Sequence, residues 1–321
     1  MKKFLLKIAL FFCSVSIIAI ASDIWISKTL ATSESYAMGD AKIWNDILDK
    51  EINDEVLIYG SSRAWRHFDP EVIEQETGMQ AYNFGVDGHA FDIQHLRHEL
   101  YLKYNKAPKV IIYSVDVNTL GMQKGLYNDE QFLPFFYSDS LFNAYTKKYT
   151  NFSSTEYHIP LTRYSGRKKA LTYFIKETIH WPQSKMRTKG FKASDETWNT
   201  DYEKARKNKT SYHKDIDQNM VKRFDSFLKE AHSKHISVIL MYTPEHLLGQ
   251  SLIENREAII SVFDSLAKAN KIPFIDYSKD TMNTNKDYFY NSLHLNAKGV
   301  KAFNTLYLED LKKFIDSSGH Q

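Results

Sequence analysis

The chain has 321 residues, which at roughly 100–200 residues per domain fits one large domain or two small ones. Hydrophobic residues make up 43% and aromatic residues 14%, too many for a disordered chain, and 12 Gly with 7 Pro are too few for a collagen-like or low-complexity one. A single Cys excludes an intramolecular disulfide, a Cys-rich zinc site and an iron–sulfur cluster. The net charge of +3, from 42 Lys+Arg and 39 Asp+Glu, implies no partner by itself. Its distribution is uneven. Residues 160–214 carry 14 Lys/Arg against 5 Asp/Glu, a net of +9, which leaves −6 for the remainder. Such an asymmetry suits an acidic polymer or an anionic membrane surface, and a solvated basic face fits the same numbers.

Lys2, Lys3 and Lys7 precede an apolar run over residues 8–21, and Ala19-Ile20-Ala21 stands before Ser22. These are the three parts of an export signal, with cleavage near Ala21. Residues 4–26 also read as an anchor, broken only by Lys7 and Asp23 near its ends, with Trp25 suited to an interface and the two charges placed to snorkel. Residues 1–30 are therefore expected to be a signal anchor, or alternatively a signal peptide. Both readings put the chain beyond Ser27 on the extracytoplasmic side, and the anchor makes the protein a single-pass membrane protein. Residues 31–54 are expected to form a connecting helix.

From residue 55 the chain alternates strand-like and helix-like runs. Strands are expected over residues 56–59, 81–84, 110–115, 236–242 and 273–276. Helices are expected over 70–77, with Asp69 as cap and Pro70 in the first turn, and over 90–104, 220–231, 253–269 and 297–315. Continuously apolar strands alternating with helices imply βαβ units and a parallel sheet of about five strands, covered on both faces by helices in an α/β fold. Residues 121–215 interrupt the alternation after the third strand. They hold most of the basic excess and are expected to form an inserted helical cap within one domain covering 55–321.

Ligands of open α/β sheets bind beyond the carboxyl ends of the strands. The first strand ends in Gly60-Ser61-Ser62-Arg63, the second leads into Val86-Asp87-Gly88, the third into Asp116 and Asn118, the fourth into Thr243-Pro244-Glu245, and Asn291-Ser292-Leu293-His294 precedes the last helix. A Ser and a His meeting at one sheet edge would form the nucleophile–base pair of acyl transfer. His95 and His98, beside Glu99, have helical spacing but no evident third ligand, so no metal is expected. P-loop, dinucleotide-glycine and His-Glu-x-x-His motifs are absent, which counts against NTPases, dehydrogenases and zincins; no cofactor and no nucleic-acid partner are expected.

Together these blocks resemble the SGNH (GDSL-type) hydrolase superfamily over residues 56–120 and 236–315. The resemblance implies a flavodoxin-like three-layer α/β/α sandwich. It implies Ser62 as nucleophile and His294 as general base, with Asn291 where the family has the Asp that orients the base. It further implies an oxyanion hole from the N–H groups of Ser62 and Gly88; Asp116 stands in the family's Asn position, so either Asn118 substitutes or that donor is missing. Asn291 and the missing Gly-x-Asn-Asp block leave a catalytically degenerate binding module as the alternative. Arg63, Asp116 and Glu245 are candidates for substrate contact; Arg63 equally fits a salt bridge that stabilises the turn, and Glu245 a solvated loop. The chain is similar to the membrane-tethered branch that modifies exported polysaccharides and teichoic acids. That similarity implies a glycan or acylated-polymer substrate, with two forms of the chemistry: deacylation of glycans or lipids, or transfer beside a multi-spanning membrane acyltransferase as partner.

Overall fold

The computed structural model describes residues 1–208 and 211–319. Residues 209–210 of the expected insertion and 320–321 of the expected 55–321 domain lie outside the described residues. In chain order the elements are α1 (Lys2–Ala31), α2 (Asp40–Leu48), β1 (Val56–Gly60), α3 (Ser62–His67), α4 (Pro70–Thr77), β2 (Ala81–Asn83), α5 (Phe91–Tyr104), β3 (Val110–Val115), α6 (Ser140–Thr146), α7 (Ser154–His158), α8 (Lys168–Thr178), α9 (Asp201–Asn208), α10 (Gln218–Ser233), β4 (Ser237–Tyr242), α11 (Leu247–Gln250), α12 (Arg256–Asn270), β5 (Phe274–Asp276) and α13 (Ala297–Ser317). They fall into two compact units. One holds Met1–Asn45 and Lys124–Met186, the other Asp46–Gln123 and Arg187–Gln321.

The second unit is a doubly wound α/β sandwich. Its five strands are all parallel, in the order β2-β1-β3-β4-β5. Side chains alternate across the sheet. Val56, Ile58, Val110, Ile112, Ile239 and Met241 pack against Phe68 at the C-cap of α3, Ile73 of α4, and Phe303 and Tyr307 of α13. On the opposite face Tyr59 stacks on Tyr113, with ring centroids 6.1 Å apart, and Phe224 of α10 meets Tyr113 edge-on at 4.9 Å. Phe91 of α5 joins this aromatic layer, and Phe263 of α12 touches Phe224. Both faces are covered, which is why the strands read as continuous apolar runs rather than alternating ones. The strand order reverses between β1 and β3, so the crevice for a ligand lies at their carboxyl ends.

The first unit gathers the N-terminal segment and part of the expected insertion. Asp23 is buried and pairs with buried Arg163, while its second oxygen accepts the Leu161 N–H at 2.8 Å. Ser27 bonds the Tyr164 hydroxyl at 2.8 Å, and Trp44 Nε1 donates to Gln131 at 2.9 Å between the rings of Phe132 and Phe142. Helix α1 is the one helix among the described residues long and apolar enough to cross a membrane, and its most apolar stretch is unburied. Only its last third is packed, through Asp23, Ile26, Ser27, Leu30 and Ala31.

Two expectations differ from this arrangement. Asp23 does not snorkel: a buried guanidinium holds it. Residues 121–215 are not one cap within a single domain either. Residues 124–186 fold with the N-terminal segment through the Asp23–Arg163 pair, whereas the stretch from Arg187 joins the sheet unit. There Lys189 O accepts the Asn83 N–H at 2.9 Å, Ser194 O accepts the Ala297 N–H at 2.7 Å, and Leu252 O accepts the Tyr212 N–H at 2.7 Å.

Candidate active site

The chain turns directly from β1 into α3. Gly60 has φ +142°, and a Cβ there would lie 2.5 Å from the Ser114 carbonyl oxygen, so only glycine lets β1 pass this close to β3. Ser61 is the N-cap residue of α3, but its hydroxyl donates to the Asp116 carboxylate at the end of β3 rather than to its own helix. The other Asp116 oxygen accepts the Asn118 N–H at 2.7 Å, and the Asp116 N–H donates to Thr119 Oγ1 at 2.9 Å. Asp116 thus ties the carboxyl ends of β1 and β3 together. From β2, buried Asn83 donates to the carbonyls of Ala64 and Phe68 at 2.9 and 2.8 Å and so fixes the C-terminal end of the short α3. Ser62, the first residue of α3, is half-buried and reachable.

Asn296 caps α13 through the Gly299 N–H at 3.0 Å, and His294 stands in the loop just before it. His294 Nε2 lies 2.7 Å from Ser62 Oγ, and His294 Nδ1 lies 3.0 Å from Asn291 Oδ1. The same Asn291 oxygen accepts the N–H groups of Leu293 and His294 at 3.0 and 2.9 Å. An amide oxygen only accepts, so this network assigns the imidazole proton to Nδ1 and leaves the Nε2 lone pair facing the Ser62 hydroxyl. Tyr290 stacks on the ring at 5.3 Å with an interplanar angle of 8°. Burial, followed by the guanidiniums of Arg63 and Arg66, holds the His294 pKa far below the ordinary imidazole value, so the ring stays a neutral acceptor well into acid.

Ser62, Gly88 and Asn118 line one pocket of about 410 Å³, together with His89, His213 and Lys214. The Ser62 N–H is a first-turn helix amide with no intrahelical acceptor. Gly88 has φ +67°. Its carbonyl accepts from Gln123 Nε2 at 2.6 Å, while Gln123 Oε1 takes the Ala90 N–H at 3.0 Å, which latches the glycine turn. The Asn118 side chain is exposed to the pocket.

Arg63, Asp116 and Glu245 are buried within the fold and bonded to other side chains. Arg63 Nε donates to Thr243 Oγ1 at 3.0 Å, one terminal nitrogen pairs with Glu245 at 3.2 Å, and the other bonds the Thr243 carbonyl. Glu245 also accepts from the Tyr242 hydroxyl and from Arg256 Nε, each at 2.8 Å, and is buried rather than part of a solvated loop. Of the two readings of Arg63, this placement corresponds to the salt bridge that stabilises the turn. His95 and His98 belong to the aromatic layer, where His98 contacts the Tyr59 hydroxyl at 3.2 Å.

Three contributors carry no sequence motif. Buried His67 donates from Nδ1 to Thr243 Oγ1 at 3.0 Å and accepts the Leu295 N–H on Nε2 at 3.0 Å. Burial, then the charge of Arg63, lowers its pKa well below the ordinary value, so this neutral tautomer is stable. Gln123 and Tyr290 are the others; the one signal the sequence holds for either is that Tyr290 directly precedes Asn291.

No family model and no curated protein matches the sequence. Among solved structures, the chain is similar to a protein assigned as an acylhydrolase from Bacteroides fragilis, at 14% identity over 88% of this chain and 97% of the other, with a TM-score of 0.39. It is similar to a GDSL-like lipase from Bacteroides thetaiotaomicron at 14% identity, over 80% and 87%, with a TM-score of 0.38. An acetyl xylan esterase is similar at 14% identity, over 80% and 99%, with a TM-score of 0.40.

Proposed function

We propose that this protein is an SGNH-type serine enzyme that cleaves or transfers O-acyl esters. The observation that carries the reading is the relay in which Ser62 Oγ meets His294 Nε2 at 2.7 Å while Asn291 holds Nδ1 at 3.0 Å. Ser62 attacks the acyl carbonyl as His294 takes its proton, and the oxyanion forms against the N–H groups of Ser62 and Gly88 and the amide of Asn118. Collapse breaks the ester C–O bond, and the leaving alcohol takes the proton from His294. Water or an acceptor hydroxyl then attacks the acyl-enzyme by the reverse proton path. Deacylation yields the acid; transfer yields a new ester on a glycan or lipid-linked polymer.

Helix α1 supports an uncleaved anchor with the rest of the chain extracytoplasmic. It continues unbroken past Ala21 to Ala31, and its packed end is held by the Asp23–Arg163 pair. A membrane-tethered site of this kind fits transfer beside a multi-spanning acyltransferase, with an acylated polymer as substrate. Asn291 favours a second reading, a degenerate accessory protein, because an amide cannot stabilise imidazolium by charge.

Labelling with a fluorophosphonate probe tests the central assignment. Ser62 should be modified in the wild type and labelling should vanish in Ser62→Ala and fall sharply in His294→Ala, both folded. Equal labelling of Ser62→Ala removes Ser62 as nucleophile.

A further inference from the structure

Helix α8 exposes apolar side chains where a water-facing helix exposes polar ones. Leu171, Ile175 and Ile179, on one side of the helix and its C-cap, are 39%, 56% and 59% exposed, and Trp181 just beyond is 60% exposed. The inward side is the more polar at its end: Glu177 accepts the Ser33 hydroxyl at 2.5 Å and Gln183 Nε2 at 2.8 Å, while Tyr173 packs on Tyr36. Lys168 and Lys169 are exposed at the N-terminal end. An apolar face toward solvent with lysines around it is the pattern of a helix lying in a lipid–water interface.

Its position relative to α1 sets the depth. At 1.5 Å per residue, residues 4–24 span about 31 Å, the thickness of a bilayer's hydrocarbon core of about 30 Å. The outer boundary then falls at Trp25, a residue type that favours this layer. Trp25 packs edge-on against Phe174 of α8 at 4.8 Å and is itself 56% exposed. Phe174 directly precedes Ile175 in the helix, so the middle of the exposed apolar face of α8 lies close to the level where α1 leaves the hydrocarbon, and its C-terminal end reaches Ser33 through Glu177. Ile24, 48% exposed, continues the apolar surface from α1.

We propose that α8 is an interfacial helix that lies in the outer leaflet beside the anchor, with Leu171, Ile175, Ile179 and Trp181 among the upper acyl chains and Lys168 and Lys169 at the headgroups. This rests on the reading of α1 as a membrane span. The occupant of the face is lipid: the patch is continuous with the bare apolar surface of α1, and the lysines complement anionic headgroups. Two contacts with one bilayer would fix the orientation of this unit on the membrane, where a lone span would leave it free to swivel.

The full chain tests this in vesicles of phosphatidylcholine and phosphatidylglycerol without other protein. In a Cys13→Ser background, single variants Ile17→Cys, Ile175→Cys and Ile179→Cys carry an environment-sensitive fluorophore, and nitroxide lipids labelled shallow or deep in the acyl chain act as quenchers. Position 17 should be quenched most by deep nitroxides. Positions 175 and 179 should shift to the blue and be quenched most by shallow ones. Quenching at 17 with none at 175 and 179 overturns the interfacial helix and leaves the anchor standing, including the case in which a protein partner covers the face. Loss of quenching at 17 as well overturns the anchor.

Discussion

His67 accepts the N–H of Leu295 on its Nε2 at 3.0 Å, so a ring one turn along from the nucleophile holds the residue just after the base. The contact crosses from α3 to the loop before α13, and Thr243 at the end of β4 fixes the other ring nitrogen. His67 never touches substrate in this geometry; it sets the distance between Ser62 and His294. Replacing it by Phe leaves the buried Leu295 N–H without an acceptor, a cost of about 1–3 kcal/mol. In kinetics, kcat should fall while KM changes little, since alignment and not binding is lost. His67→Gln, with both a donor and an acceptor, should recover part of each. Unchanged unfolding midpoints in His67→Phe would show that the bond contributes nothing.

Acid should destabilise the fold through the same buried rings. Burial lowers the pKa of His67 well below its ordinary value and that of His98 to about 3. The folded pKa values lie below the unfolded value of about 6.5. As pH falls through that value the unfolded chain takes up protons that the folded chain refuses, so stability is complete above it and declines below it. The slope should approach about 1.4 kcal/mol per pH unit for each such histidine. Urea unfolding between pH 8 and pH 5 measures it, and a flat profile would contradict the burial of these rings as neutral species.

Asp116 separates a positioning role from a substrate contact. Asp116→Ala removes the acceptor of both the Ser61 hydroxyl and the Asn118 N–H, and should cost about 1–3 kcal/mol for each group left buried without a partner. Turnover should drop as the Ser61–Ser62 turn and the Asn118 loop lose their common anchor. Asp116→Asn, which keeps one acceptor oxygen, should lie between. A higher KM with unchanged stability would instead place the carboxylate against substrate.

Much of this was legible in the sequence because it depends on local rules. The strands read as uninterrupted apolar runs because the sheet is covered on both faces, and α4 and α13 were marked by Asp69, Pro70 and the loop before Ala297. The blocks that hold Ser62 and Gly88 stand after strands and the one that holds His294 before the last helix, and their roles are what the family resemblance implies. What could not be read depends on partners far apart in the chain. Asp23 and Arg163 meet across 140 residues, and without that pair the N-terminal helix and the insertion look unrelated. Arg63 and Glu245 meet across 182 residues as a buried ion pair, which neither strand end announces. Helix α3 has six residues and no side-chain cap, too little pattern to distinguish from a turn.

Asn291 offers the most decisive change. In this geometry its oxygen orients the His294 ring but carries no charge to balance the imidazolium that forms as Ser62 gives up its proton. Asn291→Asp places a carboxylate oxygen on the same three donors, the two backbone N–H groups and Nδ1–H. The nearby negative charge favours the protonated ring and raises the His294 pKa from its depressed value. Two effects with defined signs result. Hydrolysis of a small acetyl ester should accelerate near neutral pH, by less than the factor of about 10⁴ that the reverse exchange costs in serine proteases, because the tautomer here is already correct. The acidic limb of the kcat/KM profile, set by loss of the neutral base, should move to higher pH. Asn291→Ala should move the rate the other way by releasing the ring from its tautomer. An accelerated variant over an active wild type marks an enzyme operating without full charge support. A silent wild type rescued by Asp marks a site retained for binding, and no response at all would mean that Asn291 does not govern His294.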